Sequence, residues 1–270
     1  MIRIGQATGT RRRRVAWAGR RAEREPSPFR LRAGLNLVVL TSLTLAVPLV
    51  RGAPIRAQER GFAVPSVQIV ATLLTDHKAF SRPTIAATKI DSVVARRPFT
   101  GESTALPVVG AFTATDATRW LQVRLPGRPN GRTAWIDSRA TVASSTPWHI
   151  VVDLTGRRVV VYESGRALRS WPAIVGKAST PTPTGEFFVE EAIVLPAKAA
   201  GAPFALALSA RSNVLQEFEG GPGQIALHGL ANLGGVLGTA VSHGCIRLDR
   251  ATMRWLVFRV GPGVPVTIRG

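Results

Sequence analysis

Over residues 61–175 the chain is cut into short apolar runs of strand length, most of them closed by a turn rich in glycine, proline or serine. Runs at 66–74, 104–112, 120–125 and 133–136 alternate or cluster their apolar side chains, and residues 126–131 supply a turn between the last two. Three more follow at 148–154, 158–162 and 168–175, joined by turns at Thr155-Gly156 and Ser164-Gly165, which is the pattern of an antiparallel meander. Pro181, Pro183 and Gly185 make a rigid loop into a further run at 186–190. Residues 195–208, with Pro196, Gly201 and Pro203, read as a long irregular loop suited to one wall of a groove. One helical stretch is expected, capped by Asp249, with Met253, Leu256, Val257 and Val260 repeating on one face before Gly261-Pro262-Gly263 ends it. A chain punctuated in this way folds as a mainly β protein with one short C-terminal helix.

The formal charge of +19 is unevenly spread: residues 1–60 hold 13 arginines against three glutamates, a net +10, and the remainder carries 22 basic against 13 acidic residues, or +9. The basic stretch is not interleaved with aromatics and no nucleic-acid-reading helix is visible, so nucleic-acid binding is not the expectation. It leads instead into an apolar run of 16 residues, 35–50, short of the ~20 that span a bilayer comfortably. This reads as a signal-peptide core, cleaved or retained as an anchor, and implies export to the periplasm, the outer face of the cytoplasmic membrane or the cell wall. The chain therefore divides into a basic signal or anchor with its linker (1–60), a small β module (61–145) and a second, larger β domain (146–270).

Cys245 is the chain's one cysteine, so it has no internal disulfide partner and stays available for chemistry even in an oxidising compartment. It sits in Ser242-His243-Gly244-Cys245-Ile246-Arg247, and a second histidine, His228, lies 17 positions upstream at the end of a short apolar run. A thiol is nucleophilic as the thiolate, and a neighbouring imidazole can take its proton or pair with the anion. Gly244 lets the backbone turn sharply, so that the amides of Gly244 and Cys245 can aim at one oxyanion. Spacing alone leaves the roles of His228 and His243 interchangeable, and leaves Arg247 either as a fork for a carboxylate or as a partner of Asp249. A structural core cysteine and a zinc site are the bland alternatives, but there is no Cys-x-x-Cys, His-Glu-x-x-His or carboxylate cluster, and no metal or cofactor is expected. Gly176-Lys177 lacks the glycine-rich turn of a phosphate loop, and His77 and His149 read as ordinary structural residues.

The residues His228 and Ser242-His243-Gly244-Cys245-Ile246-Arg247 resemble the signature of the L,D-transpeptidase catalytic domain, also called the YkuD domain. The resemblance extends through Val175-Gly176-Lys177 and Pro181-Thr182-Pro183-Thr184-Gly185-Glu186-Phe187 and covers residues 147–270. It implies a mixed β-sandwich catalytic domain in which Cys245 is the nucleophile and His228 the general base. His243 and Gly244 would organise the catalytic turn, with Ser242, Gly229 and Arg247 at the substrate. The implied partners are peptidoglycan stem peptides, with the membrane engaged only through the N-terminal segment and the protein a monomer. A tetrapeptide donor would be cut before its terminal D-alanine through a thioester, an amine of a neighbouring stem would resolve it as a 3-3 crosslink, and carbapenems would acylate Cys245. Hydrolysis of the same bond, as an L,D-carboxypeptidase, and a non-catalytic wall-binding protein are the alternatives. Residues 120–136 resemble part of a bacterial SH3-like domain, placed either to bind wall polymer or to support the catalytic domain.

Overall fold

The computed structural model describes residues 63–218 and 221–270. The apolar run at 35–50 lies outside the described residues, and among these no helix is long and apolar enough to cross a membrane. The first sheet holds β1 (Gln68–Leu73), β2 (His77–Phe80), β3 (Lys89–Val93), β4 (Ala105–Thr113), β5 (Arg119–Arg124), β6 (Thr133–Asp137) and β7 (Thr141–Thr146) in the order β3-β2-β6-β5-β4-β1-β7. Every pairing in it is antiparallel, and Leu73, Leu106, Val123 and Ile136 fill its core. The four runs read from sequence are β1, β4, β5 and β6. Strands β2, β3 and β7 were not anticipated, because their exposed, polar-rich faces give little apolar alternation.

The second half begins with the expected meander of β8 (Trp148–Asp153), β9 (Arg158–Glu163) and β10 (Arg166–Pro172). It continues through β11 (Val175–Gly176), β12 (Gly185–Val194), β13 (Phe204–Arg211), β14 (Gln224–His228), β15 (Ala240–Ser242), β16 (Ile246–Arg247), the helix α1 (Arg250–Val257) and β17 (Pro265–Arg269). Eight of these strands form a mixed sheet in the order β10-β9-β8-β17-β12-β13-β14-β16, with β17–β8 and β14–β16 parallel; β11 and β15 pair separately. The expected loop 195–208 is thus strand over its last five residues, and only residues 195–203 connect β12 to β13. Strand β13 shows no alternation because six of its eight residues are buried, on both faces of the sheet. The helix is as expected, with the Asp249 carboxylate accepting from Thr252 N–H at 2.9 Å and Met253 and Leu256 fully buried. Burying those two side chains contributes about 1.5–3 kcal/mol each, more than the ~1 kcal/mol of the cap.

The two sheets are tightly joined. Phe188 of β12 packs into the core of the first sheet, and a Cβ on Gly263 would lie 2.6 Å from Val70. The Arg97 guanidinium reaches the buried carboxylates of Glu190 and Glu191, and Arg211 pairs with Glu190 at 2.9 Å. Opposing charges this deep hold the partners in register, since removing one side of such a pair leaves an uncompensated buried ion at a cost of about 3–5 kcal/mol.

Candidate active site

Strand register explains how residues 17 apart in sequence meet. In the parallel pair of β14 and β16, Leu227 lies opposite Ile246 and His228 opposite Arg247, which brings the end of β14 beside the turn that carries Cys245. The turn needs Gly244: its φ of +119° is in the region that favours glycine, and a Cβ there would press Ile225 at 3.0 Å. Ser242, expected at the substrate, is instead fully buried and holds the turn from inside. Its hydroxyl donates to the Cys245 carbonyl at 2.6 Å and accepts from Gly244 N–H at 3.1 Å.

The same turn is gripped from the 177–184 loop. Thr182 Oγ1 donates to the Gly244 carbonyl at 2.8 Å and accepts from Gly176 N–H at 2.9 Å, while Thr180 Oγ1 donates to the Ser242 carbonyl at 3.2 Å. Gly176 permits this approach, since a Cβ on it would lie 2.4 Å from the Thr182 nitrogen. The Pro-Thr motif was visible in the sequence; that its hydroxyls hold the turn of Cys245 was not. Thr182→Val removes the donor and the acceptor together and strands the buried Gly244 carbonyl and the partly buried Gly176 N–H. It is expected to cost about 1–3 kcal/mol of stability, read as a lower midpoint in chemical denaturation with unchanged slope.

The imidazole of His228 is 1% exposed, and its Nδ1 hydrogen-bonds the Gly229 carbonyl at 2.8 Å. A carbonyl only accepts, so Nδ1 carries the proton and the Nε2 lone pair is left for work as a base. Gly229, also expected at the substrate, is therefore a fixture of the base. It is buried, and its N–H donates to the Gly201 carbonyl at 2.8 Å. Gly201 was missed as a site residue: at φ +82°, a Cβ on it would lie 2.4 Å from His228 Nδ1.

Cys245 is 3% exposed, more enclosed than a nucleophile opening into a groove. Its sulfur leans on the Gln224 carbonyl at 3.9 Å. Burial pushes the thiol's pKa up, but His228, as hydrogen-bonding neighbour and as charge, pulls it down together with the Ala226 backbone, and the net value lies below the ordinary 9.0. The hydrogen bond to the imidazole is loose in this state, because Nε2 has no partner of ordinary geometry among the described residues. Proximity supplies the shift, and the close bond is left to the reacting state.

The remaining expected residues are placed differently. His243 is exposed and stacks against Phe218, ring centroids 5.7 Å apart, so it lies on the solvent side of the turn. Arg247 donates to the Gly234 carbonyl at 2.8 Å and makes no ion pair among the described residues; Asp249 is spent on the helix cap. His149 is buried against the Thr267 hydroxyl at 2.8 Å, burial lowering its pKa to about 4, and His77 lies between the carbonyls of Thr75 and Arg139. Neither histidine belongs to the cluster.

Residues 147–268 match the family described as YkuD, L,D-transpeptidase catalytic domain. The chain is 34% identical over 125 residues to the putative L,D-transpeptidase YkuD of Bacillus licheniformis, covering 45% of this chain and 66% of that one. It is 30% identical over 132 residues to L,D-transpeptidase 1 of Mycobacterium tuberculosis, covering 44% and 49%. The chain thus spans less than two thirds of the length of these curated relatives. Among solved structures it is similar to L,D-transpeptidase 3 of Mycobacterium tuberculosis in complex with a faropenem-derived adduct, at 16% identity and a TM-score of 0.39, covering 62% of this chain and 91% of that one. Residues 147–268, in which strand register brings a thiol beside a tautomer-fixed imidazole, are thus the part of the chain that is similar to the YkuD L,D-transpeptidase catalytic domain.

Proposed function

We propose that the chain is a cysteine-dependent L,D-transpeptidase that joins peptidoglycan stems through 3-3 crosslinks. The observation that carries this reading is the Cys245 thiol brought by strand register beside a His228 whose Nδ1 is tied to a carbonyl and whose Nε2 has no partner among the described residues. The Cys245 thiolate attacks the carbonyl of the donor's third residue, and the bond to D-alanine breaks as protonated His228 gives its proton to the leaving amine. An acceptor amine then attacks the thioester, His228 takes the amine's proton, and the C–S bond breaks to restore the thiol pair. With Gly244 N–H held by Ser242, the Cys245 amide is the better placed oxyanion donor. Arg247, without an ion-pair partner among the described residues, is suited to a stem carboxylate. His243 orients the turn from its outer side. The chain acts outside the cytoplasm, delivered by its N-terminal segment, and the SH3-like module serves as a support for the catalytic domain.

Incubation with a disaccharide-tetrapeptide, with and without an acceptor amine, tests this by product mass. A crosslinked dimer that appears with loss of D-alanine is the expected product. Free tripeptide as the main product even with acceptor present would make the enzyme a carboxypeptidase. A Cys245 that gains no acyl mass from either stem or carbapenem would sink the catalytic reading altogether.

A further inference from the structure

Arg128 belongs to the turn between β5 and β6 of the first sheet, yet its side chain is committed to the catalytic half. Its Nη1 donates to the Pro222 carbonyl at 2.9 Å, and its Nη2 to the carbonyls of Ser212 at 2.8 Å and Leu215 at 3.0 Å. These three carbonyls lie at the two ends of the connection from β13 to β14, so one guanidinium draws both ends together. Asn130 adds a second grip, donating to the Arg211 carbonyl at 2.7 Å and accepting from the Arg211 N–H at 2.8 Å. The local sequence is shaped for this closure. Gly223 has φ +67°, and a Cβ on it would lie 2.0 Å from the Leu215 carbonyl and 2.9 Å from Arg128 Nη2.

The clasped ends touch the nucleophile by two routes. Gln224 follows Gly223 directly, and its carbonyl is the atom on which the Cys245 sulfur leans at 3.9 Å. Phe218, between the clasped residues, stacks on His243, two positions before Cys245. The base of the connection is fixed in turn, because Arg211 pairs with Glu190 in the buried network that also holds Arg97. Movement at Ser212, Leu215 and Pro222 therefore has two routes to the thiol, through Gln224 and through Phe218 and His243.

We propose that Arg128 is a positioning residue for Cys245, holding the Gln224 carbonyl and Phe218 in place and thereby setting how far the sulfur is open to a reagent or substrate. It rests on Cys245 being the nucleophile, and it gives the β module a task in the site itself beyond support. A planar fork is needed, since the three carbonyls are divided between two terminal nitrogens, Nη1 on Pro222 and Nη2 on Ser212 and Leu215, and an ammonium offers a single nitrogen. No local sequence signal joins Arg128 to residues more than 80 positions away.

The test is the rate of Cys245 alkylation by iodoacetamide in the full chain, followed by intact mass across pH, a readout that needs no stem peptide and so stands whether or not crosslinking is observed. The plateau rate of Arg128→Ala is expected to rise about tenfold, the size of one lost charge-assisted hydrogen bond, with Arg128→Lys between it and the parent. Phe218→Ala should also react faster, and the double variant less fast than the product of the two effects. Val123→Ala, which weakens the first sheet's core away from the clasp, should alkylate at the parent rate. Parent-like alkylation of Arg128→Ala, equal acceleration by Val123→Ala, or effects of Arg128→Ala and Phe218→Ala that multiply in full would each overturn the proposal.

Discussion

His228→Gln is expected to lower kcat/KM for crosslinking by about 10²- to 10⁴-fold at neutral pH, the range of a lost general base. It should also displace the pH profile of acylation. In the parent, burial raises the Cys245 pKa and the imidazole lowers it, with a net value below 9.0. The thiolate fraction, and with it the acylation rate, therefore rises with pH and reaches its plateau at a lower pH than a free thiol would. Glutamine takes away the charge and the basic nitrogen while burial remains, so the limb must move to higher pH. Each unit of that displacement is a tenfold loss of thiolate at a fixed pH below it. The measurement is single-turnover acylation by a carbapenem between pH 5 and 10. A rate that falls without movement of the limb would make His228 a geometric support of the turn and pass the proton transfer to another group.

Legibility in the sequence followed the range of the interactions. The meander of β8, β9 and β10 and the β5–β6 turn are local, and their apolar alternation and turn residues were enough to find them. Cys245 and His228 stood out as candidates because few residue types can do thiol chemistry, and the structure brings their segments together. Strand β17 was not: it starts with Pro265, follows a glycine-proline turn, and takes its place between β8 and β12 only through pairings with residues more than 70 positions away. Ser242 and Gly229, which adjoin His243 and His228, were placed at the substrate by the family resemblance, whereas both point their polar atoms into the scaffold. Sequence adjacency gives nearness and leaves direction open. Direction is set by backbone angles and by partners such as Thr182 and Gly201, which lie in other segments.

Gly201→Ala is the sharpest test of that scaffold, and it is expected to lower kcat/KM about 10²-fold while the protein stays folded. The added methyl would sit 2.4 Å from His228 Nδ1 and 2.8 Å from Cγ, so ring or loop must yield by about 1 Å to restore ordinary contact. The loop is poorly able to yield, since Gly201 N–H donates to the Ala231 carbonyl and its own carbonyl accepts from Gly229 N–H, each at 2.8 Å. Displacing the ring breaks the bond from Nδ1 to the Gly229 carbonyl, which is what fixes the tautomer. The φ of +82° adds backbone strain of about 1–3 kcal/mol, to be read as a lower thermal midpoint. Gly261→Ala is the matched control: no atom lies within 4 Å of its added carbon, so both activity and midpoint should stay at the parent's values. If Gly201→Ala loses stability but keeps its rate, the methyl is accommodated by the loop and His228 is not held from that side. If the rate falls and the acylation limb moves toward higher pH, the imidazole that the glycine shelters at Nδ1 is the ring that sets the thiol.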